Sequence, residues 1–312
     1  MIRFQRIFAL STEPERRIFD EARELFREAF PSEKSAIDRI EKMIVDRARL
    51  DFLPVMLVSM DAKRHVTGLT FTYFFPEIQF AYLQYIASDP QRPARGLGGA
   101  LYESLRELLK QKGARGLLLD VPPVEPEKLD DPARVAVNRK RMRFYERLGA
   151  FPVVGTQWDD ETNPRNDGHL RTLLYDDLGR NARLKRSDAR KAVRRILVAQ
   201  YGYQPNDAFV HRIAESFRDD PVSVHHPKRE SPRGDSAPKN GKWLRPLKLV
   251  VAERHVIHHL KEKGYVERPV RVDAVLRGLA GLPVERVPPK HFRDSYVRAV
   301  HDPHHVGYLA AV

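Results

Sequence analysis

The 312-residue chain contains no cysteine. Disulfides, thiolate metal sites and a thiol nucleophile are excluded with it, and a reducing cytoplasm suits such a chain. Long apolar runs are missing too. No stretch approaches the roughly 18 residues that a membrane span needs. The opening MIRFQRIFALSTEPERR has no apolar core of the kind a secretory signal carries. The expectation is a cytoplasmic protein with no membrane partner. Acidic residues run short in one half only. Residues 1–180 hold 29 Lys/Arg against 28 Asp/Glu, whereas residues 181–312 hold 26 against 14. The net charge of +13 therefore sits almost wholly in the second half, with ten of the twelve histidines. That shift predicts two units, which is also what the length suggests. A basic half suits an acidic or phosphate-bearing partner. A nucleic-acid partner is left open by the charge, but no nucleic-acid-binding motif accompanies it.

Hydrophobic residues make up 42% of the chain, enough for a packed core. Their spacing predicts a first strand over 2–10 and a helix from Glu13 to Phe30, capped by Ser11 or Thr12. A second helix is predicted over 35–50. Three apolar runs follow, at 52–60, 65–75 and 78–88, and read as consecutive strands. A glycine turn leads into a helix ending near Lys112, and GLLLDV (116–121) reads as a central strand. After the proline-rich loop 122–132 come a helix to about Leu148 and strands at 151–158 and 169–177. The fold class is α/β (α+β): a mixed, mostly antiparallel sheet flanked by helices, followed by a mainly helical basic extension. Helices are predicted at 187–202 and 206–217, and a basic Pro/Gly/Ser-rich linker at 225–244. A short strand at 247–253 and helices near 254–263, 270–279 and 290–301 complete the prediction. Within the first of those last helices His255, His258 and His259 share one face. No fourth ligand presents itself, so an exposed histidine-rich surface is expected and no metal.

The turn RPARGLGGAL (92–101) carries the most specific signal. Gly96, Gly98 and Gly99 fall within four positions, with Arg95 before them and a helix after. Missing side chains let an extended group lie against the backbone. The helix N-terminus offers unpaired N–H groups and about half an elementary positive charge. Together these suit a phosphate. A dinucleotide-binding motif would sit in the first strand–helix unit, and the Gly-Lys-Ser/Thr of a P-loop is absent.

Arg95-Gly96-Leu97-Gly98-Gly99-Ala100 resembles the R/Q-x-x-G-x-G/A signature of the GCN5-related N-acetyltransferase (GNAT) superfamily. NRKRMRFYERLGAF (138–151) resembles that family's second pattern, with Asn138 seven positions before Tyr145. The resemblance covers residues 1–180. It implies an acetyl-CoA-dependent N-acetyltransferase in which the cofactor lies in a split between the fourth and fifth strands. Its pyrophosphate would sit on Arg95–Ala100, and its pantetheine arm would pair with Tyr85, Ile86 and Ala87. Asn138 would position it, and Tyr145 would be the general acid. Glu77, entering the fourth strand, and Asp120, leaving the fifth, are the candidate bases. The implied acceptor is a primary amine, either a small polyamine-like molecule or a protein lysine. Two other readings stand beside this one: a non-catalytic acyl-CoA sensor, and a nucleic-acid-binding protein using the basic half.

YVERPVRVDAVLRGL and FRDSYVRAVHDPHHVGYL (292–309) resemble the N-terminal segment of histone-deacetylase-like and acetylpolyamine amidohydrolases. The resemblance covers residues 245–312 and implies an acetyltransferase/deacetylase fusion. The chain ends before that family's paired histidines and zinc ligands, so this segment carries no deacetylase core. The expected organisation is thus an acetyltransferase domain (1–180), a helical extension (181–224), the linker (225–244) and the deacetylase-like segment (245–312).

Overall fold

The computed structural model describes residues 2–89, 96–124, 132–158, 171–226, 247–251, 270–279 and 284–288. The chain divides into two compact units. The first contains nearly everything up to Ser231. Its strands are β1 (Arg3–Ile7), β2 (Leu53–Met60), β3 (Val66–Phe75), β4 (Phe80–Ser88), β5 (Gly116–Val121), β6 (Ala150–Pro152) and β7 (Thr172–Asp176). Its helices are α1 (Glu13–Ala29), α2 (Ala36–Val45), α3 (Leu97–Gln111), α4 (Pro132–Arg147), α5 (Arg186–Tyr201) and α6 (Ala208–Glu215).

The seven strands form one sheet in the order β1-β2-β3-β4-β5-β7-β6. Only β4 and β5 run parallel; all other pairs are antiparallel. This is the expected mixed, mostly antiparallel sheet. Every residue of β3 is buried, because helices cover both faces. On one face α1, α2, α5 and α6 pack around Phe19, Phe26, Ile40, Phe71, Tyr73 and Ile196. On the other, α3 and α4 pack around Leu101, Leu105, Leu117, Leu119 and Tyr145.

Local chemistry explains the elements that reach the site. Thr12 caps α1, and Glu15 reaches back to the Thr12 amide at 3.1 Å, which satisfies two otherwise orphan donors. The second helix is shorter than expected: α2 ends at Val45, and a single 3₁₀ turn covers Arg47–Arg49. The strand expected at 151–158 is only three residues long. Beyond it Val154 turns to donate to the Ser223 carbonyl, and Gly155 takes a positive φ of 75°.

Helix α3 is anchored by a buried polar knot. Arg106 meets Asp176 through Nε at 2.9 Å and Nη2 at 3.1 Å, and Tyr102 and the Leu178 amide donate to the same carboxylate. Three hydrogen bonds, from Arg106 Nη2, Tyr102 and Leu178, and the ion pair with the guanidinium converge on a group with no exposed surface, so its desolvation is offset.

Residues 181–224, expected as an extension to the domain, lie in the same core. Ala189, Val193 and Ile196 of α5, Val210 and Ile213 of α6, and Val222 are all buried against the sheet's helical face. Charges of this segment pair back to the first half, as in Arg195–Asp51 at 2.7 Å and Arg115–Asp188 at 3.1 Å.

The second unit holds a parallel pair, β8 (Leu247–Leu249) with β9 (Val284–Arg286), and helix α7 (Val270–Leu279) between them in sequence. The helices expected at 254–263 and 290–301, the three clustered histidines and most of the linker lie outside the described residues.

Candidate active site

The parallel pair β4–β5 is short. Phe80–Leu83 face Gly116–Leu119, and pairing stops there. Gln84–Ser88 continue against β3 alone, while Asp120 and Val121 continue against β7. The two strands therefore part toward their C-terminal ends, and the backbone groups of β4 on that side have no strand partner. A cleft of about 840 Å³ opens in the gap.

A β-bulge marks the parting point. Phe71 pairs with Tyr85 and Thr72 with Leu83, so Gln84 is the extra residue on β4. The bulge resets the alternation. Tyr82 and Tyr85 both belong to the α1/α2/α5 face, whereas Ala81, Leu83 and Ile86 belong to the α3/α4 face.

Helix α3 begins beside this gap. Gly96 is its N-cap at φ 83°, a left-handed conformation that a side chain disfavours. The cap offers no side chain, and the first turn holds no acid. Ala100 donates to Gly96, but the amides of Leu97, Gly98 and Gly99 find no acceptor among the described residues. A Cβ at Gly98 would meet only the Phe144 ring at 3.6 Å, and one at Gly99 would meet nothing within 4 Å. Gly98 lines the cleft, and so do Arg134, Lys140 and Arg141 of α4. This end is cationic, and among the described residues its three first-turn amides are free donors.

Tyr145 comes from the last turn of α4. It is 5% exposed and lines the cleft, and its hydroxyl has no hydrogen-bond partner among the described residues. Burial pushes its phenol up, against the opposing effect of Arg141. The group is therefore a protonated O–H donor at neutral pH. Asn138, also in the cleft wall, donates its amide to the Pro123 carbonyl at 2.9 Å and ties α4 to the end of β5.

The opposite end of the cleft is acidic and aromatic. Asp120 Oδ2 accepts hydrogen bonds from Tyr82 at 2.8 Å and from Tyr201 at 3.2 Å. Arg171 approaches Oδ1 at 3.6 Å. Burial raises the Asp120 carboxyl above its ordinary range, and Arg171 and the two hydroxyls counteract part of that rise. Glu33, in the 3₁₀ turn after α1, accepts from the Tyr85 hydroxyl. The Tyr85 ring stands 5.0 Å from Phe30, which also lines the cleft.

The fold brings together Tyr85, Ile86, Ala87, Gly98, Asp120, Asn138 and Tyr145 in one cleft wall. Gly96, Leu97, Gly99 and Ala100 form the adjoining cap and first turn of α3. Arg95 lies outside the described residues. Glu77 is a correction. It precedes β4 at the end remote from the gap, and its carboxylate is held by Arg195 Nε at 2.8 Å. Sequence reasoning missed Glu33, Arg171 and Tyr201; the alternation of Tyr82 and Gln84 with Leu83 and Tyr85 left open which pair faces the cleft, and Gln84 and Tyr85 both line it. Tyr201 in particular stands 81 positions from its partner Asp120, a distance no local pattern bridges.

No family model matches the chain, and no curated protein matches it. Solved structures do. A putative acetyltransferase of the GNAT family from Bacteroides thetaiotaomicron is 20% identical, with a TM-score of 0.46, over 65% of this chain and 99% of its own. A PaiA N-acetyltransferase from Thermoplasma acidophilum, solved with coenzyme A, is 18% identical with a TM-score of 0.37, over 57% and 99%. The aminoglycoside 6'-N-acetyltransferase of Enterococcus faecium is 15% identical with a TM-score of 0.42, over 58% and 99%. The comparisons give no support to the deacetylase resemblance over 245–312. Among the described residues no helix is long and apolar enough to cross a membrane, and no group of three or more metal-ligating side chains occurs.

Proposed function

We propose that the first unit is an N-acetyltransferase that moves an acetyl group from acetyl-CoA to a primary amine. One observation carries this reading: the only parallel pair of the seven-stranded sheet parts beside an uncapped helix N-terminus, with a free tyrosine hydroxyl inside the gap. An extended thioester arm suits the unpaired side of Gln84–Ser88, as an added edge strand would. Its pyrophosphate suits the amides of Leu97, Gly98 and Gly99, with the cations of α4 alongside. Each charge-assisted hydrogen bond of that kind contributes about 1.5–3 kcal/mol.

An alkylammonium, with a pKa near 10.4, must lose a proton before it can attack. Asp120 Oδ1, whose one partner among the described residues is Arg171 at 3.6 Å, takes that proton directly or through water. A carboxylate with a raised pKa is the better base at neutral pH. The amine nitrogen then bonds to the thioester carbonyl carbon and the carbon–sulfur bond breaks. Tyr145 donates its proton to the departing sulfur. The second proton of the amine leaves through the same acidic end and restores the tyrosine. Acetamide, free thiol and one proton are the balanced products.

The test is thiol release from acetyl-CoA with a panel of primary amines, run beside Tyr145→Phe. The enzyme reading expects kcat to fall by about 10²–10⁴, with calorimetric affinity for acetyl-CoA retained. A protein that binds acetyl-CoA but releases no thiol with any amine would instead be a sensor.

A further inference from the structure

Gln84, at the bulge where the strands part, has an unusual position. Both its side-chain nitrogen and oxygen are buried without a partner, the one side-chain amide so placed in the cleft wall among the described residues. Interchanging the two atoms changes nothing, since both ends lack partners. A buried amide of this kind calls for a ligand that both donates and accepts.

Other groups that line the same cleft ask for a cation. Asp120 and Glu33 supply carboxylates, and the Phe30 and Tyr85 rings supply aromatic faces. An alkylamine or a diamine would answer the carboxylates. Its ammonium groups carry donors only, so the Gln84 N–H would stay unanswered. A lysine side chain has the same defect, because its amine ends a stem of four methylenes. A peptide group beside the amine removes it. In an extended chain the N–H and the C=O of the residue after the amine-bearing one point the same way; that C=O accepts from the Gln84 nitrogen and that N–H donates to the Gln84 oxygen, while the amine lies toward Asp120.

We propose that the acceptor is an amine adjacent to an amide, as at the first residue of a peptide chain. This rests on the acetyl-transfer reading above. It also eases the chemistry, because an α-amine has a pKa near 8 rather than 10.4 and asks less of the base.

The experiment measures kcat/KM for acetyl transfer to a dipeptide amide, butylamine and 1,4-diaminobutane. Each amine is supplied at the same concentration of its unprotonated form, so that basicity does not set the order. The wild type should prefer the dipeptide amide by about tenfold or more. Gln84→Met, which keeps the length and removes the amide, should bring that ratio close to one. Gln84→Leu serves as a second variant with the same expectation. Equal or better use of the alkylamines by the wild type would overturn the inference. A preference that survives both substitutions would overturn it too, as would a change confined to the KM for acetyl-CoA. Transfer to amines without the preference sinks this inference alone. Failure to bind acetyl-CoA or to acetylate any amine sinks the acetyltransferase reading with it.

Discussion

Replacing Asp176 with asparagine should destabilise the first unit severely. The carboxylate has no exposed surface, and Arg106, its partner, keeps only 10% of its side chain exposed. Asparagine fills the same volume but leaves the inner edge of the guanidinium beside a neutral group, with only the half-exposed Glu103 to pair its outer nitrogen among the described residues. It also weakens the bonds from Tyr102 at 2.8 Å and the Leu178 amide at 2.7 Å. Breaking a buried pair by removing one partner costs about 3–5 kcal/mol. A domain of this size loses roughly 2–4 °C per kcal/mol, so the melting temperature should fall by about 6–20 °C. Differential scanning calorimetry reads this directly. The double variant Asp176→Leu with Arg106→Met removes both charges and should recover much of the loss, because an apolar replacement leaves no ion unpaired. A single variant that melts within a degree or two of the wild type would refute the reasoning. So would a double variant as unstable as the two single losses added together. The knot matters for function because it fixes α3 against β7, and α3 presents its N-terminus to the cleft.

Two further predictions concern Asp120. Burial raises its carboxyl, and a base must be ionised to accept a proton. The kcat/KM profile should therefore climb with pH through a value above the ordinary carboxylate range. Asp120→Asn should abolish that limb and lower kcat/KM by about 10²–10⁴; an unchanged profile would assign the limb elsewhere. Tyr201→Phe keeps the ring near Trp158 and deletes one hydrogen bond that stabilises the ionised form. The limb should then move to higher pH, and a shift to lower pH would count against the assignment.

Much of the sheet was legible because its strands are nearly continuous apolar runs, as central strands covered on both faces must be. The turn at Gly96–Gly99 was legible because a left-handed cap and an open first turn admit few residue types. The bulge was not. Gln84 sits inside the run FAYLQYIAS, whose strict alternation would put Tyr82 and Tyr85 on opposite faces and says nothing about the extra residue that brings them to one. Glu77 misled because proximity to a strand in sequence does not say which end of the strand meets the site. The charge shift at residue 180 misled for another reason. Of the basic side chains of α5, Arg195 pairs with Asp51 and Glu77 of the first half and Arg186, Arg190 and Arg194 pair with Asp220 and Glu215 of its own segment, while its apolar stripe completes the core. Composition registered the surface and missed the packing.

The account rests most heavily on the glycine turn as an anion site beside the parted strands. The decisive measurement is calorimetric titration of acetyl-CoA into the wild type and into Gly98→Glu. The variant's Cβ would make only an ordinary contact with Phe144 at 3.6 Å, so the fold should survive while a carboxylate enters the first turn. The account predicts micromolar binding by the wild type, weakened about 100-fold or more in the variant. No binding by the wild type, or equal binding by both proteins, would contradict it.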